Sequence, residues 1–131
     1  MEDKTIEEYC RLIKKLDLGK GVKSVDVSKR LGLSKNTVAQ TLQKLAKQGY
    51  IKMKRYGCIN LTQKGIGIAK KMNFRHRVIE TFLYKKLKMD NRRIHVEACN
   101  LEHTASDDMI NRLYQFLGKP KLDPHNKRIK G

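Results

Sequence analysis

The 131-residue sequence has no tryptophan, only two prolines and no apolar run near the roughly 20 residues that a membrane span needs. Its N-terminus is charged rather than signal-like. The three cysteines, Cys10, Cys58 and Cys99, show no CxxC spacing. An odd set without that spacing argues against a disulfide framework or a zinc finger, so each is a buried thiol or a metal ligand. These absences argue for a cytoplasmic protein, and the length predicts one or two small domains.

Acidic residues are missing from a long central stretch. None lies between Asp26 and Glu80, whereas 29–77 contains 13 basic residues of a chain whose net charge is +17. A folded surface normally mixes both signs, and a long positive stretch is typical of a protein that binds a polyanion. Heat adaptation enriches lysine but also glutamate, so it does not explain the missing acids. The pattern predicts binding to DNA or RNA.

Hydrophobic spacing predicts a mainly α-helical chain with one short hairpin. Apolar residues recur at helical spacing, and suitable N-cap residues precede most of these segments. With the expected caps Ser24, Ser34, Thr62, Asp90 and Ser106 included, the helices cover 4–17, 24–31, 34–49, 62–88, 90–104 and 106–118. Residues 50–53 and 58–61 alternate like two strands. The remaining tail, 119–131, is basic and is predicted to be loosely ordered.

The second and third helices have the pattern of a helix-turn-helix motif. They are joined by Leu31-Gly32-Leu33-Ser34, and the basic hairpin that follows is typical of a wing. Small polar residues at the front of the third helix suit base edges and phosphates. The expected DNA contacts are Ser34, Lys35, Asn36, Thr37 and Gln40 in the helix and Lys52, Lys54 and Arg55 in the wing. An ordinary capped surface helix could carry the same Ser34, so the prediction depends on this motif together with the acid-free stretch.

Potential metal ligands cluster in the second half of the chain. His95, Cys99, Glu102 and His103 have the spacings i, i+4, i+7 and i+8, beside an apolar stripe of Ile94, Ala98, Leu101 and Ala105. Upstream, His76 and Glu80 are one turn apart, on a line that continues to Leu83 and Leu87 and is predicted to face the core.

Two interpretations of this cluster remain open from the residues alone. Buried ion pairs, or exposure to solvent, would explain any single side chain of the set. A whole cluster of buried acids and histidines is costly unless its members are paired or coordinated, which favours a metal. Mixed nitrogen, oxygen and sulfur donors suit a first-row transition ion better than calcium or magnesium.

Three segments carry a resemblance to a known family: Thr62-Gln-Lys-Gly65, Phe74-Arg-His-Arg77 with Glu80, and His95-Val-Glu-Ala-Cys-Asn-Leu-Glu-His103. Over nearly its whole length the sequence resembles the diphtheria-toxin-repressor family of iron- and manganese-dependent repressors, which includes the manganese transport regulators. The resemblance implies a winged helix-turn-helix domain over 1–72 and a helical metal-binding and dimerisation domain with a basic tail over 73–131. Some members add a C-terminal β-barrel domain, and this chain is expected to be a short form without it.

The resemblance also implies two metal sites. The primary site would use Glu8, Cys99, Glu102 and His103, and the ancillary site His76, Glu80 and His95. Iron-type members usually have methionine at the position of Glu8, whereas manganese-type members usually have acids at the positions of Cys99 and Arg11. Because thiolate favours softer ions than manganese, Fe²⁺ is expected first and Mn²⁺ next, with other divalent transition metals binding in vitro.

The implied function is metal-dependent repression of metal-uptake or related genes. A metal-bound homodimer would bind pseudo-palindromic double-stranded operator DNA. The DNA-binding domains of its two subunits would be spaced to match the half-sites. Apolar residues beyond the needs of a small helical layer suggest the two-fold interface: Phe82, Ile110, Leu113, Phe116 and Leu117.

The alternatives to this function are a constitutive winged-helix DNA-binding protein with a structural polar cluster and a metallohydrolase-like enzyme. No nucleophile or base motif remains once the donors are assigned as ligands, so no enzyme is expected.

Overall fold

The computed structural model describes residues 1–130 and divides the chain into two units, Met1–Ala69 and the residues from Lys70 onward. Helices dominate the described part, with one small sheet, so the predicted mainly α class is confirmed. The helices are α1 (Asp3–Leu16), α2 (Ser24–Leu31), α3 (Lys35–Lys47), α4 (Gln63–Lys85), α5 (Asn91–Leu101) and α6 (Asp107–Phe116), and the strands are β1 (Val22–Lys23), β2 (Ile51–Met53) and β3 (Cys58–Leu61). No described helix combines the length and apolar character of a membrane span.

The first unit builds its core between α1, α2, α3 and an antiparallel sheet of order β1-β3-β2. Its fully buried side chains include Ile13, Val27, Val38, Leu42, Leu45 and Ile59. The hairpin of β2 and β3 was predicted from alternation, but β1 was not, since two residues are too short for a period to show. Pairing of Val22 with Ile59 adds this strand at the other edge of β3.

Helix caps in the first unit follow the sequence with one exception. Ser34 caps α3 by accepting a hydrogen bond from the Thr37 amide at 3.1 Å, and Thr62 accepts one from the Gly65 amide at 3.2 Å. The prediction that Ser24 caps α2 is wrong. Lys23 ends β1 in an extended conformation and is itself the residue before the helix, so Ser24 is already helical.

The second unit packs α4, α5 and α6 around a separate core. The predicted loose order of the tail is wrong, because the tail contributes to this core: Ile129 is only 1% exposed. Asp123 closes a turn by accepting hydrogen bonds from the amides of His125 and Lys127, both at 2.8 Å. Arg77 holds the far side of the turn by donating to the carbonyl of Arg128 at 2.6 Å.

Two helices of the second unit end earlier than predicted. Helix α4 ends at Lys85, which leaves Leu87 beyond it and 54% exposed instead of in the core. Helix α5 ends at Leu101, which is 44% exposed and does not continue the predicted buried stripe. Glu102 and the residue after it therefore lie in the turn between α5 and α6 rather than on a helix face.

Candidate metal centre and nucleic-acid interface

The front of α3 presents polar side chains to solvent in the first unit. All of the predicted contacts are exposed there: Ser34, Lys35, Asn36, Thr37 and Gln40. The hydroxyl of Ser34 also donates to that of Thr37 at 2.8 Å, and both residues remain exposed. Hydroxyl, amide and ammonium groups on one exposed helix front are suited to phosphates and base edges.

The hairpin after α3 carries the predicted wing residues Lys52, Lys54 and Arg55, and all three are exposed. Sequence reasoning missed Tyr56, which lies at the hairpin tip with 95% of its surface exposed and a positive φ of 63°. Every acidic residue of the first unit precedes Val27 in the chain. No carboxylate therefore lies on α3 or on the hairpin, and the charged side chains there are all basic.

His76 occupies the centre of the polar cluster in the second unit. Projecting from α4, it is 3% exposed and lies between two equally buried carboxylates. Its Nε2 is 2.8 Å from Glu80 Oε1, and its Nδ1 is 2.7 Å from Glu102 Oε2. Sequence spacing predicted that His76 and Glu80 face inward, and their burial agrees with that prediction.

A second imidazole and a thiol from α5 lie beside His76. His95 Nδ1 is 3.2 Å from His76 Nε2, and Cys99 Sγ is 3.7 Å from His95 Nε2 and 3.9 Å from His76 Nδ1. Each of the three residues offers one ligand atom within 4.8 Å of the others. The resemblance assigns Cys99 to the primary site, yet here it lies next to two donors of the ancillary site.

Another group of donors joins α4 to the tail. Glu80, Asp123 and His125 also bring one ligand atom each within 4.8 Å of the others. Sequence reasoning missed the last two because it treated the tail as loosely ordered. The signal was available in Asp123-Pro-His125, which contains the fourth histidine of the chain.

The surroundings of the Glu80 carboxylate indicate whether these residues could hold a metal ion. Its Oε2 is buried and accepts no hydrogen bond from the described residues. His125 Nδ1 and His95 Nδ1 lie 3.7 and 3.9 Å from it, which is too far for a hydrogen bond. An orphaned buried oxygen faced by imidazole nitrogens fits a cation bound among them.

Electrostatics at Glu80 favour its charged form. Burial is the largest single influence and raises the pKa of this carboxyl. The hydrogen bond from His76 and the charges of His76, His125 and His95 act in the opposite direction and together outweigh burial. The pKa of Glu80 is therefore lowered, and a charged carboxylate is the form that binds metal.

The remaining predicted ligands lie in two parts of the chain, the turn after α5 and helix α1. Glu102 and His103 are neighbours in the turn after α5, with His103 Nε2 3.6 Å from Glu102 Oε1 and only 8% of the His103 side chain exposed. Glu8 belongs to α1 of the first unit, where its side chain is 46% exposed and 3.9 Å from Lys4 Nζ.

Comparisons with known proteins match both units of the chain. Residues 3–59 match the DNA-binding domain of iron-dependent repressors, and 62–131 match their metal-binding and dimerisation domain. An HTH-type transcriptional regulator of Methanocaldococcus jannaschii is 34% identical over 89% of this chain and 95% of its own length. The iron-dependent repressor IdeR of Mycobacterium tuberculosis is 31% identical over 97% of this chain.

The chain spans only 56% of that mycobacterial repressor. A solved manganese-dependent transcriptional repressor in complex with manganese superimposes with a TM-score of 0.85 at 34% identity, covering 96% of this chain and 58% of the other. Both domain matches, in this order and over nearly the full length, show that the chain belongs to the iron-dependent repressor family of transcriptional regulators.

Proposed function

We propose that this chain is a metal-dependent transcriptional repressor that binds operator DNA as a homodimer when it holds a divalent transition ion. The main support for this function is the buried polar cluster around His76. The other unit of the chain presents α3 and the wing, which contain no acidic residue. Because a chromosomal operator is the partner, the site of action is cytoplasmic. The donors serve as ligands of a regulatory ion, so no enzymatic activity is proposed.

The proposed domain division is 1–72 for DNA binding and 73–131 for metal binding and dimerisation. The proposed primary site consists of Glu8, Cys99, Glu102 and His103, with Glu8 included on the resemblance alone. The ancillary site consists of His76, Glu80 and His95, to which we add His125 because its ring nitrogen faces the orphaned oxygen of Glu80. Fe²⁺ is the proposed physiological ion and Mn²⁺ the next candidate, since the Cys99 thiolate favours the softer ion.

A bound ion would stabilise one particular arrangement of the ligand residues. A bound ion supplies positive charge and coordination bonds to carboxylate, imidazole and thiolate groups. The turn residues Glu102 and His103 and the α4 residues His76 and Glu80 would then keep one relative position. If that arrangement belongs to the DNA-competent state, metal raises DNA affinity, and DNA raises metal affinity by the same factor.

One observation favours the alternative of a constitutive DNA-binding protein. The ring of His76 lies within hydrogen-bond distance of both Glu80 and Glu102, so these two carboxylates already have a partner without metal. In that case the cluster would be structural, and the family's dependence on metal would not extend to this chain.

Operator affinity measured against free metal separates the two functions. Anaerobic protein would be titrated with operator DNA at a series of buffered Fe²⁺ and Mn²⁺ concentrations and in excess chelator. We expect affinity to rise with metal by at least about tenfold, within the usual range of about 5- to 150-fold for allosteric coupling. Equal affinity in chelator and in metal would reject the switch and leave the constitutive protein.

A further inference from the structure

Arg75, the residue immediately before His76, is a buried cation, only 6% exposed. Its guanidinium donates from Nε to the carbonyl of Glu102 at 2.8 Å. A second nitrogen donates to the carbonyl of Ala105, and Nη1 forms an ion pair with Asp107 Oδ1 at 2.8 Å. One side chain of α4 thus joins the end of α5, the turn that follows and the first residue of α6.

These contacts satisfy groups that the helices cannot satisfy themselves. The last carbonyls of α5 have no partner within the helix, and a cation near them also complements the helix dipole. Arginine can serve several such acceptors at once, because its planar guanidinium holds five N–H donors in a fixed geometry. Lysine would place one ammonium at one position and could not bridge the same three acceptors.

Glu102 is held from two sides by consecutive residues of α4. Arg75 binds its backbone carbonyl, while the His76 ring lies against its carboxylate at 2.7 Å. His103 follows directly in the same turn, so its backbone position depends on the same anchor. Asp107, the third acceptor, also lies 3.2 Å from Lys71 Nζ, one turn earlier on α4.

We propose that Arg75 is a positioning residue of the metal centre: it fixes the turn that presents Glu102 and His103 and does not itself bind the ion. This inference rests on the proposed function, in which those two side chains are ligands. Groups that orient metal ligands typically change metal affinity 10- to 100-fold when they are removed, roughly the effect expected here.

The test compares the full chain with Arg75→Gln, Arg75→Lys and the control Lys71→Gln. The control removes the same charge from the same helix, but from an exposed side chain whose ammonium forms an ion pair with Asp107 and bridges no backbone carbonyl among the described residues. Metal affinity would be measured by competition with a chelator, using Co²⁺ as the probe, and the Co²⁺ absorption spectrum at saturation would report ligand geometry. Circular dichroism and thermal unfolding of the metal-free proteins would report folding.

We expect Arg75→Gln to stay folded, to bind Co²⁺ roughly 10- to 100-fold more weakly and to show an altered spectrum. Arg75→Lys should lie between Arg75→Gln and the parent, and Lys71→Gln should match the parent in both measurements. A folded Arg75→Gln with the parent's affinity and spectrum would overturn the proposal. Unfolding of both Arg75 variants would overturn it too, because the role would then be structural. A parent that binds no Co²⁺ would instead refute the proposed function.

Discussion

Gln40 on the exposed front of α3 and Lys54 in the wing represent two kinds of DNA contact. A glutamine amide can form a bidentate pair with adenine, whereas a lysine ammonium recognises phosphate irrespective of sequence. Gln40→Ala should therefore weaken operator binding by ~1–3 kcal/mol and relax sequence preference. Lys54→Ala should weaken all DNA similarly and reduce the slope of affinity against salt by about one.

Binding of operator and random duplexes across a salt series measures both effects. If Gln40→Ala weakens the two duplexes by the same factor, α3 does not read bases through this residue. Thr41→Ala on the same helix gives a reference substitution, since the Thr41 hydroxyl is already hydrogen-bonded to the carbonyl of Thr37.

Cys10 is the least reactive thiol expected among the three cysteines. Its side chain is fully buried in the first core, and burial together with the nearby charge of Glu7 raises its pKa to about 11. Because the folded state holds this proton more tightly than the unfolded state, the stability that Cys10 contributes is present below pH 9 and falls as pH rises through 11. Timed alkylation at pH 8 should modify Cys58 and Cys99 before Cys10, as read by peptide mass spectrometry. Equal rates in the folded protein would contradict this burial.

Among the helices and strands, those with a clear period were predictable, whereas the C-terminal ends of α4 and α5 and the strand β1 were not. Helical spacing located all six helices, and Ser34 and Thr62 were identified as caps from residue type alone. The carbonyl of Glu102, directly after α5, accepts a hydrogen bond from the guanidinium of Arg75, 27 residues earlier in the chain. No local pattern contains that information. The same holds for β1, which exists because β3 pairs with it.

Two candidate ligands lie in the tail and were not predicted, because the tail was expected to be loosely ordered. A basic, proline-containing end is usually mobile, and this composition concealed Ile129, which belongs to the second core. Once that residue is buried, the turn at Asp123 brings His125 to α4. Spacing along a helix could suggest His76, Glu80 and His95 as a set, whereas a donor from a turn has no such period.

His125→Ala tests whether the tail contributes to metal binding. The substitution removes an imidazole that lies 3.7 Å from Glu80 Oε2. It leaves the Asp123 turn intact, because His125 contributes its backbone amide to that turn, as a donor to Asp123 Oδ1. We expect roughly tenfold weaker binding of one metal equivalent, with the other equivalent unchanged. Lys127→Ala is the matched tail control. Two unchanged affinities by titration calorimetry would remove His125 from the proposed site.

Across the whole molecule, positive charge is shared by both units and does not by itself identify the DNA surface. Each unit has 15 lysines and arginines, against six acidic residues in the first and seven in the second. The discriminating feature is where the acids lie: in the first unit all precede Val27, whereas in the second they are distributed along its length. Charge distribution therefore supports α3 and the wing as the DNA surface, while total charge only predicts affinity for polyanions.

Dimerisation should cover the apolar side of α6. Of the residues expected at the two-fold interface, Ile110 is 2% exposed and lies in the core of the second unit, whereas Phe116 is 62% exposed. Met109 lies seven residues earlier on the same helix face and is 52% exposed, and a contiguous exposed apolar patch marks an interaction site. Phe116→Glu should shift sedimentation from dimer to monomer at micromolar concentration, since a carboxylate would be buried against the partner. Tyr84→Glu, on α4 and 42% exposed, provides a comparison. A parent that sediments as a monomer even with metal and DNA would refute the dimer.

Glu8 is the residue that connects metal occupancy to DNA binding in the proposed switch. It lies on α1 of the DNA-binding unit, whereas the other proposed primary ligands all belong to the second unit. A purely structural polar cluster has no use for Glu8. Replacing it with alanine removes one donor and leaves three, so metal should still bind, but more weakly. Its exposed side chain and long ion pair with Lys4 indicate that folding will tolerate the change.

We therefore expect Glu8→Ala to remain folded and dimeric, to bind Co²⁺ and to lose most of the metal-stimulated operator affinity. His103→Ala should lose both metal affinity and the DNA response, while His76→Ala should reduce the response without abolishing it. Glu2→Ala, an acid-to-alanine change beside α1, is the control and should behave as the parent. The measurement is operator affinity against free Fe²⁺ or Mn²⁺ for each protein. Full metal stimulation in Glu8→Ala would show that coupling between metal and DNA does not pass through α1, because the switch would then operate with donors of the second unit alone.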